Sequence, residues 1–214
     1  MEESIWHGQA RQDEFVAAVL AKRDGTFVDV GAGDPIHGSN TYAIETHMGW
    51  HGILCDIEHH AKYVSARDPR NVVLSDAFDE RLTREIRALA NMNSGRVDYL
   101  SLDIEPPFDT LRALVSLPLD AVRFSVITCE HDYYRMPATI KYAMAGILEG
   151  YGYVRVAEDV TMIAEGDNAK LFAVPVEDWW VDPRAVDVRK ARALAKEVNH
   201  KVESAIAYAL TEDA

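Results

Sequence analysis

Cysteine is scarce in this chain: Cys55 and Cys129 are the only two in 214 residues. They provide neither a disulfide framework nor a zinc-binding pattern. Each falls at the end of an apolar stretch, where a small thiol is expected to be buried, and this fits a reducing compartment. Basic residues are also in deficit, 22 Lys and Arg against 35 Asp and Glu, for a net charge of -13. A field of that sign repels phosphate backbones, so no nucleic-acid partner is expected. No apolar run approaches membrane-spanning length, and the opening MEESIWHGQARQDE lacks a charged-then-apolar leader pattern. A cytoplasmic protein with no membrane partner is the expectation. Internal repeats and low-complexity runs are absent as well. What remains is a hydrophobic content of 48% in a chain long enough for one α/β domain with a full core.

Periodicity divides that chain into alternating elements. Helices are expected over 13–22, 60–66, 81–91, 108–117, 138–149 and 187–210, with another opened by Ser39 or Asn40 and stopped by Gly49. Strands are expected over 26–30, 52–56, 71–75, 97–102, 122–128 and 153–157. Between 160 and 181 the pattern blurs, and 171–174 and 179–181 are the best strand candidates there. Apolar strands separated by helices predict an α/β, Rossmann-like fold with a mostly parallel sheet covered on both faces. The domain is expected to span 1–184, with a long C-terminal helix over 185–214.

The stretch Phe27-Val28-Asp29-Val30-Gly31-Ala32-Gly33-Asp34 reads as a first strand entering a glycine turn. A dinucleotide site has the pattern G-x-G-x-x-G/A. Here the third small residue is missing, and Asp34 would face a diphosphate. A nicotinamide oxidoreductase is therefore disfavoured. Asp29 suits a ligand with a positive charge, such as the ammonium of S-adenosylmethionine. The later strands also end in acids: Asp56, Asp76, Asp103, and Glu130 with His131 and Asp132. In an open α/β sheet these ends converge on one crevice. Asp56 follows the glycines at about the spacing at which an acid takes ribose hydroxyls. Asp76 is positioned to accept from an adenine amino group.

The run FVDVGAGDPIHGSNTYAIETHMGWHGILCD resembles the opening of FkbM-type S-adenosylmethionine-dependent methyltransferases. So do GQARQDEF before it, VDYLSLDIE, FSVITCEHDYY and EDWWVDP after it, over roughly residues 8 to 184. The resemblance implies the class I methyltransferase fold, with seven strands of which the last runs antiparallel. It implies methyl transfer, usually to an oxygen of a small molecule or sugar. By position it assigns Asp29, Gly31 and Gly33 to the methionine end, Asp56 to the ribose, and Asp76 with Ala77 to the adenine. Asn40 joins this cofactor-binding set. Two departures stand out: Asp34-Pro35 in the loop, and Pro106-Pro107 where a glycine and a second acid are usual.

Asp103, Glu130 and His131 form the expected catalytic group. An acid from one strand end and an acid-histidine pair from the next resemble the divalent-metal site of catechol and sugar O-methyltransferases. There magnesium or manganese would bind the acceptor oxygen and lower its pKa. A metal-free version uses His131 as general base, oriented by Glu130 or Asp132. A non-catalytic S-adenosylmethionine-binding scaffold is the other reading, on the strength of Pro106-Pro107. The expected acceptor is a small hydroxylated molecule. Trp179-Trp180 suit either an acceptor wall or the core, and Gln9 and Gln12 either cover the cofactor or do not. His37 reads as a solvated loop residue and His59-His60 as a helix start. In the C-terminal helix Val188, Ala191, Ala195, Val198, Val202, Ala205 and Ala209 form a small-residue seam. That seam suits close helix contact, so a homo-oligomer, most simply a dimer, is expected through it, with packing on its own domain as the alternative.

Overall fold

The computed structural model describes residues 4–58, 60–165 and 171–212; His59 lies outside them. The strands are β1 (Thr26–Val30), β2 (His51–Cys55), β3 (Val72–Leu74), β4 (Arg96–Leu102), β5 (Arg123–Glu130), β6 (Val154–Glu165) and β7 (Leu171–Val181). The helices are α1 (Gln12–Leu20), α2 (Tyr42–Met48), α3 (His60–Ala66), α4 (Glu80–Met92), α5 (Pro107–Ser116), α6 (Ala138–Gly150) and α7 (Val188–Glu212). Gly49 ends α2 in the left-handed conformation at φ 76°, which glycine adopts without a Cβ penalty. Asp79 caps α4 by accepting from the Arg81 amide at 2.8 Å. On that helix Leu82, Ile86 and Leu89 are buried at helical spacing, each contributing roughly 1.5–3 kcal/mol by leaving water.

The seven strands form one sheet in the order β3-β2-β1-β4-β5-β7-β6. β1 to β5 are mutually parallel and β7 runs antiparallel between β5 and β6. This is the expected Rossmann-like arrangement of a class I methyltransferase. β1 is buried along its whole length, as a parallel strand with helices on both faces must be. One core lies around Val28, Ile53, Leu100 and Ile127; the other lies around Phe15, Phe27, Tyr99 and Val126. In-register pairing sets Val30 beside both Cys55 and Leu102, and Leu102 beside Cys129. The residues just beyond those ends therefore open onto a common edge.

One expectation is revised. Residues 154–165 and 171–181 form two long antiparallel strands rather than several short ones. Register shifts between Arg155 and Thr161 break the two-residue alternation, so no clean strand pattern survives in the sequence. The seam of α7 is already occupied. Ala191, Ala195, Val198, Val202 and Ile206 are buried, and the first three join the core that contains Phe15 of α1 and Trp179 of β7. These residues make the own-domain contact that was the alternative expected for this face; Ala205 is exposed, and the Ala209 side chain lies outside the described residues.

Candidate active site

The sheet order reverses between β1 and β4, which extend in opposite directions in sequence, and such a switch point opens a crevice at the strand ends. Gly31 forms its floor. Its amide donates to Cys55 O at 2.8 Å, and its φ is +78°. A Cβ here would stand 1.5 Å from the Asp103 carbonyl oxygen, so the loop crosses the end of β4 only because residue 31 has no side chain. Gly33, at φ +61°, has nothing within 4 Å of where a Cβ would be. Its amide donates to Asp56 Oδ2 at 3.0 Å, while Asp56 Oδ1 accepts from the Glu58 amide at 2.8 Å. Two backbone donors thus fix the direction of the Asp56 carboxylate. At the end of β3, Asp76 Oδ1 accepts from the Phe78 amide at 2.8 Å. Gly31, Gly33, Asp56, Asp76, Ala77, Asp103 and Glu130 all border one cleft of about 760 Å³, with Gln9 on its rim. A volume of that order suits a drug-sized ligand or cofactor.

The far wall of the cleft is acidic. Asp103 ends β4, Glu130 ends β5, and their carboxyls are hydrogen-bonded to each other. Burial raises the proton affinity of both, and the negative charges of Asp132 and neighbouring acids raise it further. Two carboxylates in contact cannot both ionise at ordinary cost, so the pair holds a shared proton above the usual carboxylate range. Glu105 and Asp132 stand beside it. Arg135 bridges these two acids, donating to Glu105 through Nη2 and to Asp132 through Nε at 2.6 Å and Nη2. All three border the cleft; Asp132 was expected only as an orienter of His131, and Arg135 and Glu105 were not singled out from sequence. The three-residue spacing of Asp132 and Arg135 was the available signal, and it reads equally as a surface ion pair.

The expected metal set does not assemble. Glu130 faces the cleft, but His131, its neighbour along the chain, turns away, as successive residues of an extended strand do. His131 is buried with Nε2 3.3 Å from Asp178 Oδ1 and 3.7 Å from Asp159 Oδ1, and its Nδ1 accepts from the Tyr133 amide at 3.1 Å. Lys141 Nζ lies 2.6 Å from Asp159, and Arg155 Nη1 lies 3.0 Å from Asp178. The histidine therefore belongs to a network of Asp159, Asp178, Lys141 and Arg155, with Glu158 on both cations, and it is not among the described residues that border the cleft. Glu105, Glu130 and Asp132 offer oxygens within 4.8 Å of one another. The Arg135 guanidinium already sits on two of those three, which opposes a divalent cation.

Two cofactor-binding expectations also move. Asp29 is buried behind the loop rather than among the described residues bordering the cleft. Its Oδ2 accepts from Thr41 Oγ1 at 2.7 Å, and Thr41 Oγ1 in turn accepts from Arg67 Nη2 at 3.0 Å. Arg67 is fully buried and pairs with Glu45 at 3.0 Å. Burial pushes the Asp29 carboxyl up, and its bonds to Thr41 and the charge of Arg67 oppose that. Asn40 donates from Nδ2 to Ser101 Oγ at 3.0 Å, and its enclosed Oδ1 has no hydrogen-bond partner among the described residues. Asp34 Oδ1 accepts from the Ile36 and His37 amides, each at 3.0 Å, so this acid shapes its own turn. Gln12 faces inward, its Oε1 accepting from the Ala10 amide, while Gln9 reaches the cleft. Trp179 stacks on Phe15 at 4.3 Å, and Trp180 lies in the opposite core, so neither walls the acceptor space.

The strand order, the antiparallel β7 and the glycine turn at the switch point define a Rossmann-like methyltransferase fold. No family model and no curated protein matches the chain. Among solved structures it is similar to precorrin-6y C5,15-methyltransferase from Geobacter metallireducens, at 13% identity and a TM-score of 0.49, over 85% of this chain and 92% of that one. It is also similar to TYW2 of M. jannaschii, whose structure holds AdoMet, at 12% identity and a TM-score of 0.44, over 85% of this chain and 78% of that one. At such identities the functional reading rests on the site's own chemistry.

Proposed function

We propose that the chain is an S-adenosylmethionine-dependent methyltransferase acting on a hydroxyl of a small molecule, without a metal ion. The observation that carries this reading is the Asp103–Glu130 pair, a proton-sharing carboxyl pair on the cleft wall opposite a fixed ribose-type acid, Asp56. S-adenosylmethionine, when bound, supplies a methyl group on a sulfonium that leaves readily. The residues present fit that group. Gly33 has open space where a Cβ would be, and Asp56 borders the cleft with its carboxylate oriented by the Gly33 and Glu58 amides. Asp76 and Ala77 border the outer end of the cleft, where a flat base fits.

The protein's part in the reaction is alignment and proton removal. Asp103 and Glu130 hold one proton between them at neutral pH, and burial with the charges of Asp132 and Glu105 makes the remaining carboxylate a stronger base than an exposed one. It takes the acceptor's hydroxyl proton as the oxygen bonds to the methyl carbon. Titration calorimetry with S-adenosylmethionine, S-adenosylhomocysteine and NAD tests the cofactor class. Turnover by Asp103→Asn and Glu130→Gln tests the base; wild-type rates in both sink the assignment. A non-catalytic scaffold is the second reading. Arg135 favours it, since its guanidinium on the cleft wall pairs with Glu105 and Asp132 beside the carboxyl pair and leaves less negative charge there to attract an acceptor proton. Binding of the cofactor with no turnover of any hydroxylated metabolite supports that reading.

A further inference from the structure

A second chamber of about 410 Å³ adjoins the cleft, and Gln9 and Met162 line both. It lies between the N-terminal segment, β6 and the outer part of α7. Its walls are mainly apolar: Trp6, Ile163, Val202 and Ile206, with Ala205 between the last two. Two cations border it, and two carboxylates balance them: Glu14 contacts both, and Glu197 Oε1 lies 3.3 Å from Lys201 Nζ. Lys201 Nζ lies 2.7 Å from Glu14 Oε1 and Arg11 Nε 2.6 Å from Glu14 Oε2. The chamber therefore has no net charge with which to hold an ionic ligand, and it has apolar surface to hold a tail.

We propose that this chamber takes the apolar tail of the methyl acceptor. The acceptor is an amphipathic molecule, its reacting hydroxyl beside Asp103 and Glu130 and its hydrocarbon part crossing between Gln9 and Met162. The adjacency of the two cavities carries this: they share Gln9 and Met162 as a common border, across which a single molecule would reach from one to the other. The acidic wall of the cleft adds a filter: a head group bearing a carboxylate or phosphate is repelled, and a neutral or cationic one is not. The inference rests on the cleft being the methyl-transfer site.

The probes are linear primary alcohols from butanol to decanol, titrated with and without saturating S-adenosylhomocysteine. Trp6 emission is the readout, because the other three tryptophans are buried in the core. Affinity is expected to rise about fourfold for each added methylene until the chamber is full. It should persist when S-adenosylhomocysteine fills the cleft. Ala205→Phe, on the exposed side of α7, should flatten the length dependence and leave S-adenosylhomocysteine affinity unchanged. Trp6→Phe should abolish the signal but not calorimetric binding. A flat length series, an unchanged series in Ala205→Phe, or loss of alcohol binding with S-adenosylhomocysteine bound would each overturn the proposal. Failure to bind S-adenosylhomocysteine itself would instead overturn the reading of the cleft.

Discussion

Replacing Glu130 with glutamine should change how stability depends on pH. In the unfolded chain Asp103 and Glu130 ionise near 3.8 and 4.5. In the folded chain, burial and mutual repulsion hold one proton on the pair to higher pH. From the unfolded values up to the folded one, the native state carries a proton that the unfolded state has lost. Stability is therefore highest at low pH with respect to this pair, and it falls as pH rises. One proton of difference corresponds to a slope of about 1.4 kcal/mol per pH unit at most. Glutamine keeps the size and can donate to Asp103, which then ionises without the repulsion of the Glu130 charge. The variant should lose most of that slope between about pH 6 and 8 and be more stable than the parent at the upper end. Other buried acids, including Glu177, whose carboxyl is pushed up to about 8 by burial, are common to both chains and cancel in the comparison. Urea unfolding at a series of pH values measures it. Parallel curves for the two proteins would refute the shared proton and, with it, the proposed base.

Gly31→Ala should cost about 1–2 kcal/mol for its positive φ alone, plus the displacement of the Asp103 carbonyl, and should abolish S-adenosylhomocysteine binding by calorimetry. Arg67→Met should destabilise the fold by about 3–5 kcal/mol, because it leaves Glu45 buried without its partner; thermal unfolding is the check. Ala195→Leu should overpack the contact of α7 with its own domain and cost about 1–3 kcal/mol by the same assay, whereas a seam reserved for a second copy would tolerate it in the monomer. His131→Gln should lower stability through the network at Asp178 while retaining methyl transfer, a split between melting temperature and kcat that a catalytic histidine would not give.

Much of this molecule was legible in the sequence because its parallel strands are short, apolar and bounded by glycine or acid. The first strand, Thr26–Val30, follows directly from that pattern, and so does the convergence of Asp56, Asp76, Asp103 and Glu130. Periodicity cannot say which side of a strand end a residue faces once the strand is over. Glu130 and His131 are adjacent in sequence and lie on opposite sides of the sheet, so the metal set that joined them fails on pleat geometry. Asp29 illustrates a different limit. Its place in the loop motif suggested a ligand's charge, but its partner, through Thr41, is Arg67, 38 residues further on (67 − 29), which no local pattern reveals. The α7 seam was legible as a contact face, and its packing against α1 and the β6–β7 edge of the same chain is the own-domain contact that the sequence left open beside a dimer.

The central claim is that the crevice above Gly31 and Asp56 binds S-adenosylmethionine for methyl transfer. Titration calorimetry of the intact chain with S-adenosylhomocysteine tests it most directly, alongside Asp56→Ala and NAD as controls. Saturable binding at one site per chain, weakened at least tenfold by Asp56→Ala and not reproduced by NAD, is the predicted result. No heat with S-adenosylhomocysteine, or equal binding by the Asp56→Ala chain, would contradict the account.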